Sequence, residues 1–220
     1  MMLAGAFSFI SDLTEKLGDW ASNWWFLAVI FVIAFLDSVV PIVPSETTVI
    51  IGGVACSTGE AKYSLIMVIA CGAVGAFLGD NTAYSIGHRF SPWFERRAQQ
   101  REKTRARLAW AREQIEERGG FLLITARFIP GGRTALTLSS GITRQPRAWF
   151  VRWIAVAATI WATYAAGLAY IVGKPFKDNH AAAFWVAFGT ALGINVVVEI
   201  VRHVRKRKAD LLPGVETSVE

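Results

Sequence analysis

The stretch Ala126-Arg-Phe-Ile-Pro-Gly-Gly-Arg133 sets two arginines around a Pro-Gly-Gly break, inside a run that is otherwise largely apolar from Phe121 to Ile142. A fixed charge at membrane depth costs between about 2.5 and more than 10 kcal/mol, depending on the scale, so such residues face polar cavities and act there. An earlier stretch, Asp37-Ser-Val-Val-Pro-Ile-Val-Pro-Ser-Glu46, mirrors the first with acids. Opposite charges on two Pro-broken apolar segments place the expected functional centre where those segments meet.

Composition agrees with a membrane setting. Of 220 residues, 53% are hydrophobic and only 18% charged, with nine Trp, which predicts one small polytopic membrane domain rather than a soluble one. The net charge of +6 comes from basic residues clustered beside apolar segments, as cytoplasmic flanks are, and no aromatic-and-basic groove for nucleic acid is visible. Cys56 and Cys71 stand in apolar surroundings without metal spacing and read as small core residues. His88, His180 and His203 are scattered, so neither a metal nor a cofactor is expected. The N-terminus lacks a basic n-region and a small-residue cleavage site, so no signal peptide is expected.

Along the chain, residues 3–20 put Leu3, Phe7, Ile10, Leu13, Leu17 and Trp20 on one helical side, as an amphipathic helix at the interface does. Trp24 to Val43 is long enough to span a bilayer, at about 20 residues. Asp37 and Pro41 favour instead a re-entrant hairpin over 24–58, with Pro41, Pro44 and Ser45 at its tip. Residues 63–88 read as a spanning helix whose glycines and alanines permit close backbone approach. Residues 91–118 read as a charged cytoplasmic helix. A second re-entrant hairpin is expected over 120–142, with Pro130, Gly131 and Gly132 at its tip. Spans follow at 149–172 and 181–201, then a basic cytoplasmic tail over 202–220. Because the stretches flanking 120–142 are both basic, the positive-inside rule puts them on one side, and the segment between must enter and leave there.

A shift of 86 residues aligns Pro44 with Pro130, Tyr84 with Tyr170, Gly87 with Gly173 and Phe90 with Phe176. The expected fold is therefore all-α, with two inverted repeats, each a re-entrant hairpin plus a spanning helix, and an extra C-terminal span. Such designs place a transport site between the halves at the midplane.

Asp37, Glu46, Asp80, Arg127 and Arg133 are the ionisable residues deep in apolar context. Arginine stays protonated, whereas a carboxylate withdrawn from water can take up a proton. The set can hold an anionic headgroup on the arginines, for which bidentate Arg–phosphate geometry is well suited, while the acids exchange protons. The plainer reading is a static salt bridge of Asp37 or Glu46 with Arg127 or Arg133. Asp80, beside Asn81 and Thr82, could equally serve only as a local hydrogen-bonding group. No nucleophile elbow, metal constellation or phosphate loop is present in the sequence, so an enzyme is not expected.

These motifs resemble the DedA family of membrane proteins, the bacterial branch of the group that shares the VTT domain. The resemblance runs from Asp37 to Gly141. It is carried by Asp37, Pro41, Pro44, Ser45 and Glu46; by Gly79, Asp80, Tyr84 and Gly87; and by Arg127 to Arg133 followed by Ser140-Gly141. Three positions depart from the pattern: Asp37 where Glu is common, His88 where Arg is usual, and Ser91 where Gly is usual. The resemblance implies a multi-pass transporter of the bacterial inner membrane with a cytoplasmic C-terminus and two oppositely inserted hairpins, able to form homo-oligomers. Its partner would be an anionic lipid, foremost undecaprenyl phosphate returned to the cytoplasmic leaflet by the proton-motive force. Arg127 and Arg133 would hold the phosphate, and Asp37, Glu46 and Asp80 would couple protons. Relatives that scramble phospholipids supply one alternative, and a non-transporting assembly factor supplies another.

Overall fold

A computed structural model describes residues 20–40, 45–102, 119–127 and 132–176, with scattered positions between 105 and 117 and between 186 and 193. The described residues form helices and no strand. These are α1 (Trp25–Val39), α2 (Ser45–Thr58), α3 (Leu65–Gln100), α4 (Phe121–Ala126), α5 (Gly132–Ile142) and α6 (Arg147–Gly173), with a short 3-10 turn at Lys174–Phe176. The interfacial helix expected over 3–20, the tip residues Pro41, Pro44, Pro130 and Gly131, the span at 181–201 and the tail at 202–220 fall outside the described residues, Trp20 and a few positions near 190 apart.

Local chemistry sets the helix ends. The apolar run of α1 contains no glycine or proline, and it stops at Val40, where φ −127° and ψ 100° are extended. Val40 precedes Pro41, whose ring disfavours helical geometry in the residue before it. α3 does not end near residue 88 as the sequence suggests. It continues for 36 residues through Pro92 to Gln100, so the expected span and the first part of the expected charged helix are one element. Pro92 deprives only the His88 carbonyl of its donor, and His88 lies on the exposed side, where that loss is tolerable.

The chain from α1 to α2 goes out and returns. The Lys62 amide donates to the Ser22 carbonyl at 2.9 Å, and the Tyr63 hydroxyl donates to the Ala21 carbonyl, so the two feet of the hairpin touch. α4 and α5 form the second hairpin. Gly120, at the foot of α4, lies against the Trp153 ring in the second turn of α6, and α5 ends at Ile142 shortly before α6 begins.

The two hairpins stand at opposite ends of the long α3–α6 pair. α3 starts at the foot of the first hairpin and reaches the foot of the second, where Gly87 abuts the Leu138 backbone and the Ser91 hydroxyl donates to the Ile142 carbonyl at 2.8 Å. α6 runs the other way, and its last residue, Gly173, packs on Val54 and Ser57 of α2. The second arm of each hairpin thus rests on the long helix of the other half: α2 on α6, α5 on α3. Gly87 and Gly173, paired by the 86-residue shift, meet different groups, the Leu138 backbone and the Ser57 side chain.

Packing relies on close backbone approach. A Cβ at Gly75 would strike the Phe31 carbonyl, and one at Gly53 would sit 2.7 Å from the Ala166 carbonyl. In lipid, where no hydrophobic effect drives helices together, such van der Waals fit is what holds them. Apolar side chains fill the core, with Phe150, Ile30, Ile50 and Ile154 fully buried, and also cover much of the outside, while several polar groups are buried among them. Asp80, Ser38, Ser45, Ser91 and Ser140 are among the largest fully buried side chains, while Trp25, Val32, Leu36, Ile66, Val74, Val156, Ile160 and Ile171 are exposed. α3 and α6 are long and apolar enough to cross a membrane, and α1 is a shorter apolar helix.

Candidate functional site

Six helices each bring one side chain to the centre of the molecule: Asp37 from α1, Ser45 from the start of α2, Asp80 from α3, Arg127 from the cap of α4, Arg133 from the first turn of α5, and Trp161 from α6. Asp80 lies about 22 Å along α3 from its start, and Trp161 about 21 Å along α6, at a rise of about 1.5 Å per residue. The site is therefore deep in the apolar length of both long helices.

Two ion pairs organise it. The Arg127 Nη1 donates to Asp80 Oδ2 at 2.5 Å, and neither side chain has any exposed surface. The Arg133 Nη2 donates to Asp37 Oδ2 at 2.8 Å, and these two side chains are 10% and 12% exposed. Both pairs join an acid of the first half to an arginine of the second. Asp80 also ties them together, because its Oδ1 lies 3.8 Å from Arg133 Nε, an electrostatic contact too long for a hydrogen bond.

The bonding is incomplete. Arg127 Nε, Arg127 Nη2 and Asp80 Oδ1 are buried without a hydrogen-bond partner among the described residues. A guanidinium offers five N–H groups, and one in this hydrogen-bonded pair leaves most of the donor edge unused. The Arg127 guanidinium carbon sits 5.5 Å from the Trp161 ring centroid, a cation–π contact that partly replaces lost hydration.

Hydroxyl groups line the rest. Ser45 Oγ donates to Asp37 Oδ2 at 2.5 Å, so this oxygen accepts from two elements at once. Ser38 Oγ lies 3.0 Å from the Ala34 carbonyl and 3.3 Å from the Ala76 carbonyl, across the α1–α3 seam. Thr134 Oγ1 contacts the Ser38 carbonyl at 3.5 Å, bringing the start of α5 against the end of α1. Among the described residues no cluster of three His, Cys, Asp or Glu could hold a metal ion.

Of the acids singled out from sequence, Asp37 and Asp80 meet the arginines. Glu46 does not: it is partly buried in the first turn of α2, with no ion pair among the described residues. Asp80 is more than a local capping group, since its partner is 47 positions away. Gly132, expected in the second tip, opens α5. Sequence reasoning missed Trp161 and the bond from Ser45 to Asp37. The serine stood beside the proline break, but no local signal tied it to an acid eight positions earlier. Ser91, where glycine is usual in the resembled family, is buried, donates to the Ile142 carbonyl and accepts from Arg144 Nε at 3.1 Å.

Comparison with known proteins bears on this arrangement. The VTT domain family model matches residues 43–171. A membrane protein of Synechocystis sp. is 28% identical over 200 residues, covering 88% of this chain and 90% of the relative. Protein DedA of Escherichia coli strain K12 is 24% identical over 203 residues, 90% of this chain and 93% of that protein. Undecaprenyl phosphate transporter A of Bacillus subtilis strain 168 is 22% identical over 201 residues, 91% of this chain and 98% of that protein. No solved structure matches significantly. With the VTT model covering more than half of its length, three motifs meeting at one buried site, and an exterior of apolar side chains, this chain belongs to the DedA family of VTT-domain membrane proteins.

Proposed function

We propose that this protein moves a polyprenyl phosphate, undecaprenyl phosphate in the first instance, from the outer to the cytoplasmic leaflet of a bacterial inner membrane, driven by the proton-motive force. In this reading the two hairpins are re-entrant, inserted from opposite faces as inverted repeats, and the C-terminus is cytoplasmic. The phosphate is held by Arg127 and Arg133, and Asp37, Glu46 and Asp80 carry the coupled protons. The observation that carries the proposal is the donor edge of Arg127, buried where both hairpins meet and without a partner for Nε and Nη2 among the described residues. Beyond its pair with Asp80, Arg127 has N–H groups without acceptors among the described residues, and phosphate oxygens match guanidinium spacing. The similarity to a transporter named for undecaprenyl phosphate supports the lipid class.

The test is reconstitution into liposomes carrying a polyprenyl phosphate, with leaflet exchange measured under an imposed pH gradient. Wild type translocates the lipid, collapsing the gradient slows it, and Arg133→Ala abolishes it. Unchanged exchange in Arg133→Ala refutes the headgroup role, and exchange indifferent to the gradient identifies an uncoupled scramblase. A second reading, a non-transporting assembly factor with the charges as staples, is favoured by the short distances of both ion pairs. It requires that Asp37→Arg combined with Arg133→Asp retain function, which a phosphate carrier would not.

A further inference from the structure

We propose that Asp37 is a built-in stand-in for the lipid phosphate: its carboxylate occupies the receiving position formed by Arg133 and Ser45, and the headgroup must displace it to bind. The inference rests on the phosphate-carrier reading above and assigns the two ion pairs different duties.

Asp37 Oδ2 accepts from Ser45 Oγ at 2.5 Å and from Arg133 Nη2 at 2.8 Å, two donors on two helices converging on one anionic oxygen. A phosphate monoester presents oxygens of the same kind, acceptor-only toward Arg and hydroxyl donors, so the two groups are chemical competitors for one position. Backbone electrostatics favours the newcomer. Ser45 opens α2 and Arg133 lies in the first turn of α5, where helix dipoles stabilise negative charge. Asp37 itself lies in the last turn of α1, where the dipole opposes a carboxylate. The acid is thus held by its partners and not by its own helix.

Access separates the pairs. Arg127–Asp80 is wholly buried, whereas Arg133–Asp37 retains some exposed surface. Exchange therefore takes place at Arg133. Asp80 Oδ1, which has no hydrogen bond among the described residues and lies 3.8 Å from Arg133 Nε, keeps that arginine partly compensated while Asp37 leaves. The N–H groups of Arg127 that have no partner among the described residues are then available to a second phosphate oxygen.

Binding of farnesyl phosphate to the purified full-length chain in detergent, measured by calorimetry, tests this. A self-ligand lowers apparent affinity by the fraction of molecules it leaves competent. Asp37→Asn therefore tightens binding by about tenfold. In that background Ser45→Ala weakens it by about tenfold, the worth of a hydrogen bond to a charged group. Asp37→Glu, which keeps the charge but disturbs the two-donor fit, tightens binding severalfold and serves where the asparagine variant does not fold. Unchanged or weaker binding in the folded Asp37 variants overturns the proposal. Arg133→Ala separates the failures. If it abolishes binding while the Asp37 variants behave as wild type, only the stand-in role is lost. If it binds as wild type does, the phosphate site is lost with it.

Discussion

Removing one member of the Arg127–Asp80 pair should be among the costliest single substitutions in this chain. Both side chains have no exposed surface, and Arg127 already has two nitrogens without a hydrogen-bond partner among the described residues. Asp80→Asn deletes the charge that compensates the guanidinium and replaces its strongest hydrogen bond with a weaker one. Breaking a buried pair in this way costs about 3–5 kcal/mol. At about 1.4 kcal/mol per factor of ten, the folded population falls by a factor of roughly 140 to 3,700 relative to the unfolded one. Arg127→Met alone strands the Asp80 carboxylate and costs a similar amount. The double variant leaves no buried charge unpaired and recovers more than half of the larger single loss, because the isolated charge is the expensive species. Denaturant unfolding in bicelles, followed by tryptophan fluorescence, measures the cycle. Additive losses in the double variant, or a single-variant loss below about 1 kcal/mol, would refute the view that the pair is desolvated and mutually dependent.

Gly79→Ala drives a Cβ into the Phe35 carbonyl and to 2.6 Å from Ser38 Cβ, prising α1 from α3 beside Asp37. Thermal unfolding should register a loss of about 1–3 kcal/mol. Gly167→Ala, whose Cβ meets nothing within 4 Å, is the matched control and should be neutral or stabilising by up to about 1 kcal/mol through helix propensity. Arg144 adopts φ 56°, and its Nε lies 3.6 Å from Glu95 Oε1. Arg144→Gly should therefore be less destabilising than Arg144→Ala by about 1 kcal/mol in the same assay, since both lose the ion pair but only glycine is at ease in the left-handed region.

Much of this site was legible because its cost in lipid is written into the sequence. Asp37 and Arg133 each stand next to a proline break in an apolar run, and they are partners. Asp80 was harder to read, because a helix interior carries no local mark of a contact 47 positions away. Glu46 drew attention by the same rule as Asp37, yet at the first turn of α2 the helix dipole suits a carboxylate without any counter-ion. Trp161 was invisible for a further reason: on an apolar helix an aromatic facing the site and one facing lipid look alike. The end of α1 just before Pro41 was foreseen from that proline. The unbroken course of α3 past residue 88 was not, because the change from an apolar to a charged composition there reads as the start of a new element. The helix continues because one missing donor is cheap on an exposed face, while Ser91 anchors the same turn to α5.

That continuity gives α3 a mechanical property. Thirty-six residues make a rod of about 54 Å, against a hydrocarbon layer of about 30 Å, so a substantial length projects into water. Asp80 and Arg97 share this rod about 25 Å apart. The buried aspartate and the charged end, where Arg97 rests over the Trp93 ring, therefore belong to one continuous helix. Whatever holds the exposed end of α3 in place thereby also holds the helix that carries Asp80.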